Sequence, residues 1–194
     1  MSVLTKKALV EAFGTVLDKK PFAKITVSDI TNECGVSRMT FYYHFKDIHA
    51  LIEWSLENHF DKALEGNYTY DAWRQAFLNV FQFALQKKQY ILSIFPELDQ
   101  KNIKEYLHGI GYKLAMSLIS EKADHANVGE EYKRFISDTL AHACVGVLIS
   151  WIENGMEEDP RLIVGKFGIL FGGIIDSALM RLDGVSEQDI LSMF

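Results

Sequence analysis

Thr26-Val27-Ser28-Asp29-Ile30-Thr31-Asn32-Glu33-Cys34-Gly35-Val36-Ser37-Arg38-Met39-Thr40-Phe41-Tyr42-Tyr43-His44-Phe45 reads as two short helices joined by a three-residue corner. Thr26 with Asp29 three residues on matches a capping box, in which the hydroxyl and the carboxylate satisfy each other's free backbone N–H groups. Ile30 and Cys34 then lie four apart on one face. Gly35 stops the helix, because glycine takes the left-handed backbone at the C-terminus without a Cβ penalty. Ser37 caps a second helix two residues later. Phe41 and Phe45 point inward from it, which leaves Arg38, Met39, Thr40, Tyr43 and His44 for the outer face.

Working outward, a first helix is predicted over Thr5 to Lys19, where Ala8, Leu9, Ala12, Phe13, Val16 and Leu17 form one apolar stripe. Pro21 disfavours helical geometry at Lys20 and ends it. After the quoted stretch, Asp47 caps a longer helix to about Leu64, with Ile48, Leu51, Ile52 and Phe60 apolar. The arrangement is a helix-turn-helix. Val36 plugs the corner, and the second helix projects its first turns where they can enter a major groove. Thr26 and Ser37 sit at helix N-termini, whose unpaired N–H groups suit phosphate oxygens.

The remainder reads as all-α. Gly66-Asn67 is the candidate seam between two amphipathic runs. Helices are expected at about 70–87, 90–95, 101–123, 130–154, 160–182 and 186–193. Asp159-Pro160 opens one of them, and Ser186 with Asp189 makes a second capping box after the Asp183-Gly184 stop. The expected division is a helix-turn-helix DNA-binding domain over residues 1–48 and a helical regulatory and dimerisation domain over 49–194, linked by the helix 48–64.

Bulk properties set limits. Hydrophobic content of 48% with 24% charged residues is that of a globular chain. The net charge of -6 is unevenly spread. Residues 1–50 carry seven Lys/Arg and five Asp/Glu, giving +2, and the rest carries thirteen against twenty-one, giving -8. An acidic body with a mildly basic head is compatible with DNA binding if the basic groups converge. The N-terminus has no apolar secretion signal. The most apolar run, Phe167 to Ile175, is about half of the ~20 residues that cross a bilayer, so a buried helix and no membrane are expected. Cys34 and Cys144 are expected as small core residues, consistent with a reducing, cytoplasmic setting.

Thr26 to Ile30, then Cys34 through Phe45, then Ala50-Leu51 resemble the TetR family of transcriptional regulators, specifically over about residues 5–64. The resemblance implies a homodimer on palindromic double-stranded operator DNA, controlled by an effector at the C-terminal domain. On that pattern Thr26 and Tyr42 contact phosphates, while Arg38, Thr40, Tyr43 and His44 face the groove, with Ser37 and Met39 beside them. The family often has a lysine where Ile48 stands; here the nearby lysine is Lys46, assigned to phosphate by proximity. Met39 through Ile48, with Ser150-Trp151-Ile152-Glu153-Asn154-Gly155-Met156, is also similar to regulators associated with dihydroxyacetone kinase operons. That likeness would make the effector a dihydroxyacetone-kinase-like protein instead of a small molecule.

Among the C-terminal aromatics, Trp73, Phe77, Tyr106 and Trp151 are the candidates for holding a small-molecule effector, the alternative being ordinary core. The abundance of such aromatics favours the small molecule over the protein. Gly165, Gly168 and Gly172 lie in an apolar helix, where each glycine costs about 1 kcal/mol relative to alanine. Close approach of another helix would offset that cost, so they are assigned with Leu148 and Trp151 to a dimer interface, which the resemblance also places on the last two long helices. The remaining histidines show no metal spacing, and His142 is read as packing; no metal and no cofactor are expected. The competing readings are a helical enzyme, whose residues could be scattered through the fold, and a DNA-free helical adaptor. No phosphate loop, nucleophile elbow or paired metal motif supports the enzyme, and Arg38, Tyr42, Tyr43, His44 and Lys46 would be a poor choice for a mere connector.

Overall fold

The computed structural model describes residues 2–64, 73–123 and 127–193. The Gly66-Asn67 seam and the first residues of the helix expected from 70 lie outside them. Ten α-helices are described, with no strand among the described residues: α1 (Ser2–Leu17), α2 (Val27–Cys34), α3 (Arg38–His44), α4 (Ile48–Leu64), α5 (Trp73–Gln86), α6 (Lys88–Ile94), α7 (Gln100–Lys122), α8 (Glu130–Glu153), α9 (Pro160–Leu182) and α10 (Glu187–Leu191). The chain divides into two compact units, Met1–Ala63 with Gln86–Ile103, and Leu64–Leu85 with Lys104–Phe194.

Local sequence sets the helix ends. Thr26 Oγ1 accepts the Asp29 N–H at 3.3 Å, and Asp29 Oδ2 accepts the Thr26 N–H at 2.8 Å. Both halves of the expected capping box are therefore made. The Lys20 ammonium pairs with the same carboxylate. Gly35 takes φ 72° and ψ 28°, the left-handed conformation that terminates α2, and Val36 N–H donates back to the Thr31 carbonyl at 3.0 Å. Ser37 Oγ accepts the Thr40 N–H at 3.1 Å and starts α3. Asp47 Oδ1 accepts the Ala50 N–H at 2.8 Å and starts α4. Asp159 and Ser186 cap α9 and α10 in the same way.

In the first unit α1 packs on α2 and α3. Leu9, Phe13, Ile30, Phe41, Leu51 and Ile52 are all fully buried, and Phe13 meets Phe22 and Tyr90 edge-on. Two stripe positions differ from expectation: Ala8 is exposed and Leu17 only half-buried. α6 contributes buried Ile91 and Ile94 to this unit.

The second unit is built on α5 and α7–α9. Trp73, Phe167, Phe77, Phe81 and Trp151 form a chain of ring contacts with centroids 4.9–6.3 Å apart. Among the glycines of this unit, the one set closest against another helix's backbone is not on α9. A Cβ on Gly111 of α7 would meet Ala141 of α8 at 3.4 Å, whereas one on Gly165, Gly172 or Gly173 would meet nothing.

Two expectations are corrected here. The run from Phe167 to Ile175 is not wholly buried: Phe167 and Ile175 point inward, but Ile169 is 86% exposed, and Leu170 and Ile174 are exposed too. α8 and α9 are each long and apolar enough to cross a bilayer by length and composition, a feature hidden when only the densest apolar run is measured. His142 is not packing, since its side chain is 68% exposed.

The Lys20 ammonium, then the Thr26 hydroxyl and N–H, hold the Asp29 carboxyl at about 2, below its ordinary 3.8. A carboxyl depressed on folding adds stability that is complete above its unfolded value and is lost as pH falls through the folded one. The contribution of Asp29 should therefore disappear between about pH 4 and pH 2. Thermal melts at about pH 5 and about pH 2.5 should show a smaller drop in Asp29→Asn than in the wild type. Equal drops would mean that the capping box carries no folding free energy.

Candidate nucleic-acid interface

α3 is seven residues long, and its orientation follows from which side chains are buried. Phe41 is fully buried and Phe45 nearly so. These two rings are four residues apart and so define one face. Phe45 packs on Trp54 at 6.0 Å, and the Lys6 ammonium lies 5.2–5.3 Å from both ring centroids, within cation–π range.

The opposite face is open. Met39 is 81% and Tyr43 82% exposed, and Arg38, Tyr42 and Lys46 are exposed as well. Thr40 and His44 are half-buried. Thr40 Oγ1 shares a 2.9 Å hydrogen bond with Ser37 Oγ, and the His44 ring stands edge-on to Tyr43 with centroids 5.0 Å apart. Tyr42 stands edge-on to Phe41 at 5.6 Å, so its ring is braced by the core while its hydroxyl end is free to point outward. Thr26 and Ser37 mark the N-termini of α2 and α3. Arg38, Met39, Thr40, Tyr42, Tyr43, His44 and Lys46 thus belong to one short helix and the turn that follows it. An exposed methionine and tyrosine on a seven-residue helix serve no packing purpose within the unit. Arginine and tyrosine beside them offer hydrogen bonds to base edges and phosphates.

The other assigned residues fare unevenly. Trp73 and Phe77 line a narrow apolar cavity of about 90 Å³ with Leu140, Cys144, Phe167 and Phe171. Burial there pushes the Cys144 thiol up to about 12. Trp151 lines a different feature, an open groove of about 590 Å³ between α8 and α9 with Gly146, Lys166 and Leu170, and its indole N–H donates to the Glu158 carbonyl at 2.8 Å. Tyr106 lines neither hollow. None of the hollows among the described residues is lined by all four proposed effector residues, because helical spacing says which face a ring occupies but not which hollow it reaches.

The dimer set also splits. Leu148 and Trp151 are buried in their own unit, and Gly168 is covered by the Arg74 guanidinium 3.1 Å from its Cβ position. Gly165 is exposed and Gly172 half-buried, both open toward the outside. Outside that set, Leu162, Ile169 and Met180 are exposed apolar side chains that with Gly173 recur at intervals of seven, four and seven. That spacing draws one exposed apolar stripe down α9.

Comparison with known proteins agrees with this geometry. Residues 9–53 match the family described as bacterial regulatory proteins, tetR family, and residues 71–173 match a transcriptional regulator C-terminal region of TetR type. The chain is 28% identical over 94 residues to the HTH-type dhaKLM operon transcriptional activator DhaS of Lactococcus lactis subsp. lactis, covering 48% of this chain and 50% of that protein. It thus spans about half the length of that curated relative. It is 23% identical over 197 residues to the uncharacterized HTH-type transcriptional regulator YerO of Bacillus subtilis, covering 90% of this chain and 67% of that one. Among solved structures, the dihydroxyacetone kinase operon activator DhaS superposes with a TM-score of 0.68 at 20% identity, over 94% of this chain and 99% of that chain. The TetR family repressor AlkX of Dietzia sp. superposes at 0.52 and 16% identity, over 89% and 95%. With both of its regions matched and the helix-turn-helix built as that motif requires, the chain belongs to the TetR family of transcriptional regulators.

Proposed function

We propose that the protein binds a palindromic operator as a homodimer, with residues 1–48 as the reading head and 49–194 as the regulatory and dimerising body. The observation that carries this reading is the two-sidedness of α3: Phe41 and Phe45 anchor it, and Arg38, Met39 and Tyr43 stand in solvent. Arg38, in the first turn, reads a base edge. Thr40, Tyr43 and His44 face the groove beside Met39, while Thr26, Ser37, Tyr42 and Lys46 hold phosphates. Such a regulator acts on DNA inside the cell.

The apolar stripe of Leu162, Ile169, Gly173 and Met180 supports dimerisation through α9. Contiguous apolar surface on a water-soluble domain marks an interaction face, and a self-complementary face gives a two-fold dimer. Phe135 of α8, 72% exposed, adds to the apolar surface of this unit.

For the signal, the packing of the second unit supports a protein partner over a small molecule. Its aromatic cavity, about 90 Å³, falls below the several hundred Å³ that ligand pockets usually offer, and its larger hollows, about 590 and 480 Å³, are open grooves. The cavity is also apolar, which suits a triose poorly. The likeness to DhaS, named as a dihydroxyacetone kinase operon activator, supports that kind of operon as the target, and the partner in this reading is a dihydroxyacetone-kinase-like protein docking on this unit.

Three outcomes check the proposal. In Arg38→Ala, preference should relax at one position of each half-site, at a cost of about 1–3 kcal/mol. Lys46→Ala should instead weaken all sites alike and lower the salt slope by about one. A variant pair with identical sequence profiles and slopes would remove this division of labour. Ile169→Glu, at a side chain that touches solvent, should leave helicity intact and convert a sedimenting dimer to a monomer at micromolar concentration. A wild-type monomer, or a variant that still dimerises, argues against the α9 face. Finally, operator affinity should ignore dihydroxyacetone alone and change about tenfold, worth about 1.4 kcal/mol of coupling, when the kinase-like protein is added. A response to the metabolite unaided would restore the small-molecule reading.

A further inference from the structure

We propose that His108, Asp138 and His142 form a binding site for a divalent transition-metal ion of the zinc, nickel and copper class, bridging α7 and α8. The inference stands independently of operator binding.

The site grows from a close helix crossing. Gly111 faces α8 so closely that a Cβ on it would lie 3.4 Å from the Ala141 Cα. His108 precedes Gly111 by three residues and Asp138 precedes Ala141 by three, so both lie one turn away from that contact on the facing surfaces. His142 follows Asp138 by four and shares its face. His108 Nε2 lies 3.0 Å from Asp138 Oδ1, and His142 Nδ1 lies 3.5 Å from Asp138 Oδ2. The two imidazole centroids are 4.2 Å apart. One donor atom from each of the three residues falls within 4.8 Å of the others.

Two details favour a cation over a simple ion pair. His108 Nε2 is buried, and despite its closeness to the carboxylate it has no aligned hydrogen-bond partner. Buried polar atoms in native proteins are rarely left in that state. His142 Nδ1 lies 2.9 Å from the Asp138 carbonyl oxygen. Donation of an Nδ1 proton to that carbonyl fixes the tautomer whose Nε2 lone pair is available to a metal, the outer-shell arrangement typical of metal-binding histidines.

Two imidazoles and one carboxylate suit zinc and its neighbours and leave a fourth position for water. Tetrahedral ligation needs donor atoms about 3.3–3.4 Å apart. The donor atoms lie within 4.8 Å of one another, so ligation requires them to draw closer, and the exposed His142 side chain has room to adjust. The set opens onto a hollow of about 480 Å³ that also carries Lys104 and Glu105, neighbours of opposite charge that offset each other at the entrance. Bound metal would tie α7 to α8 and stabilise the folded state by mass action.

The test uses the full chain and Zn(II) alone. Competition against a chromophoric chelator at neutral pH should show one high-affinity ion per chain, and Zn(II) should raise the melting temperature. His142→Ala should weaken binding by about tenfold or more and abolish the thermal shift, and Asp138→Asn and His108→Ala should do likewise. Co(II) should give visible d–d bands in the wild type that vanish in the variants. His108 is half-buried, so if His108→Ala unfolds by circular dichroism, His142→Ala decides, because that ring is exposed. Zinc binding no stronger than in the His108→Ala/His142→Ala double variant overturns the proposal. Undiminished binding in His142→Ala overturns it as well.

Discussion

Phe41 is fully buried in a helix of only seven residues, so this one ring, with Phe45 a turn later, fixes the rotation of α3 about its own axis. Everything the helix offers to solvent follows from that phase. Arg38, Met39 and Tyr43 are outward because Phe41 is inward, not because any hydrogen bond holds them there. The corner ahead of the helix supplies the second constraint. Gly35 at φ 72° turns the chain through a conformation that costs an L side chain roughly 1–2 kcal/mol, and Ser37 starts α3 two residues later. A reading surface is thus set by a few buried carbons and one glycine.

Charge is arranged to fit. The first fifty residues carry a small positive excess, and the acidic majority of the chain lies beyond them. Several basic groups of the head are engaged within it: Lys20 on Asp29, Lys19 on Glu33 at 2.7 Å, and Lys6 over the Phe45 and Trp54 rings. Arg38 and Lys46 are exposed on and beside the recognition helix. Non-specific affinity should therefore be modest, and discrimination should rest more on groove contacts than on bulk attraction.

Features whose causes are local were legible in the sequence. The capping boxes at Thr26 and Ser186, the Gly35 stop and the Asp159-Pro160 start all appear as read, because each depends on residues within four positions of one another. Features that depend on the crossing of distant helices were not. The α9 glycines suggested close packing, but a Cβ on Gly165 or Gly172 would meet no described atom within 4 Å, and the close approach is made by Gly111 of α7, a helix with glycines of its own at 109 and 111. Trp73, Phe77, Tyr106 and Trp151 share aromatic character, but Trp73 and Phe77 line one hollow, Trp151 another and Tyr106 neither. His108 is thirty residues before Asp138, and no spacing rule joins them. Only the α7–α8 crossing brings them together.

The account rests on α3 reading DNA in two symmetry-related copies. Selection of bound duplexes from a random pool by the full-length protein, at physiological salt, tests this most directly. The account predicts a sharp inverted repeat whose half-site centres lie about one helical turn, ~34–36 Å, or a multiple of it apart, with the Arg38→Ala protein losing information at one position of each half. Recovery of no enriched sequence, or of a single asymmetric site unaffected by Arg38→Ala, would contradict it.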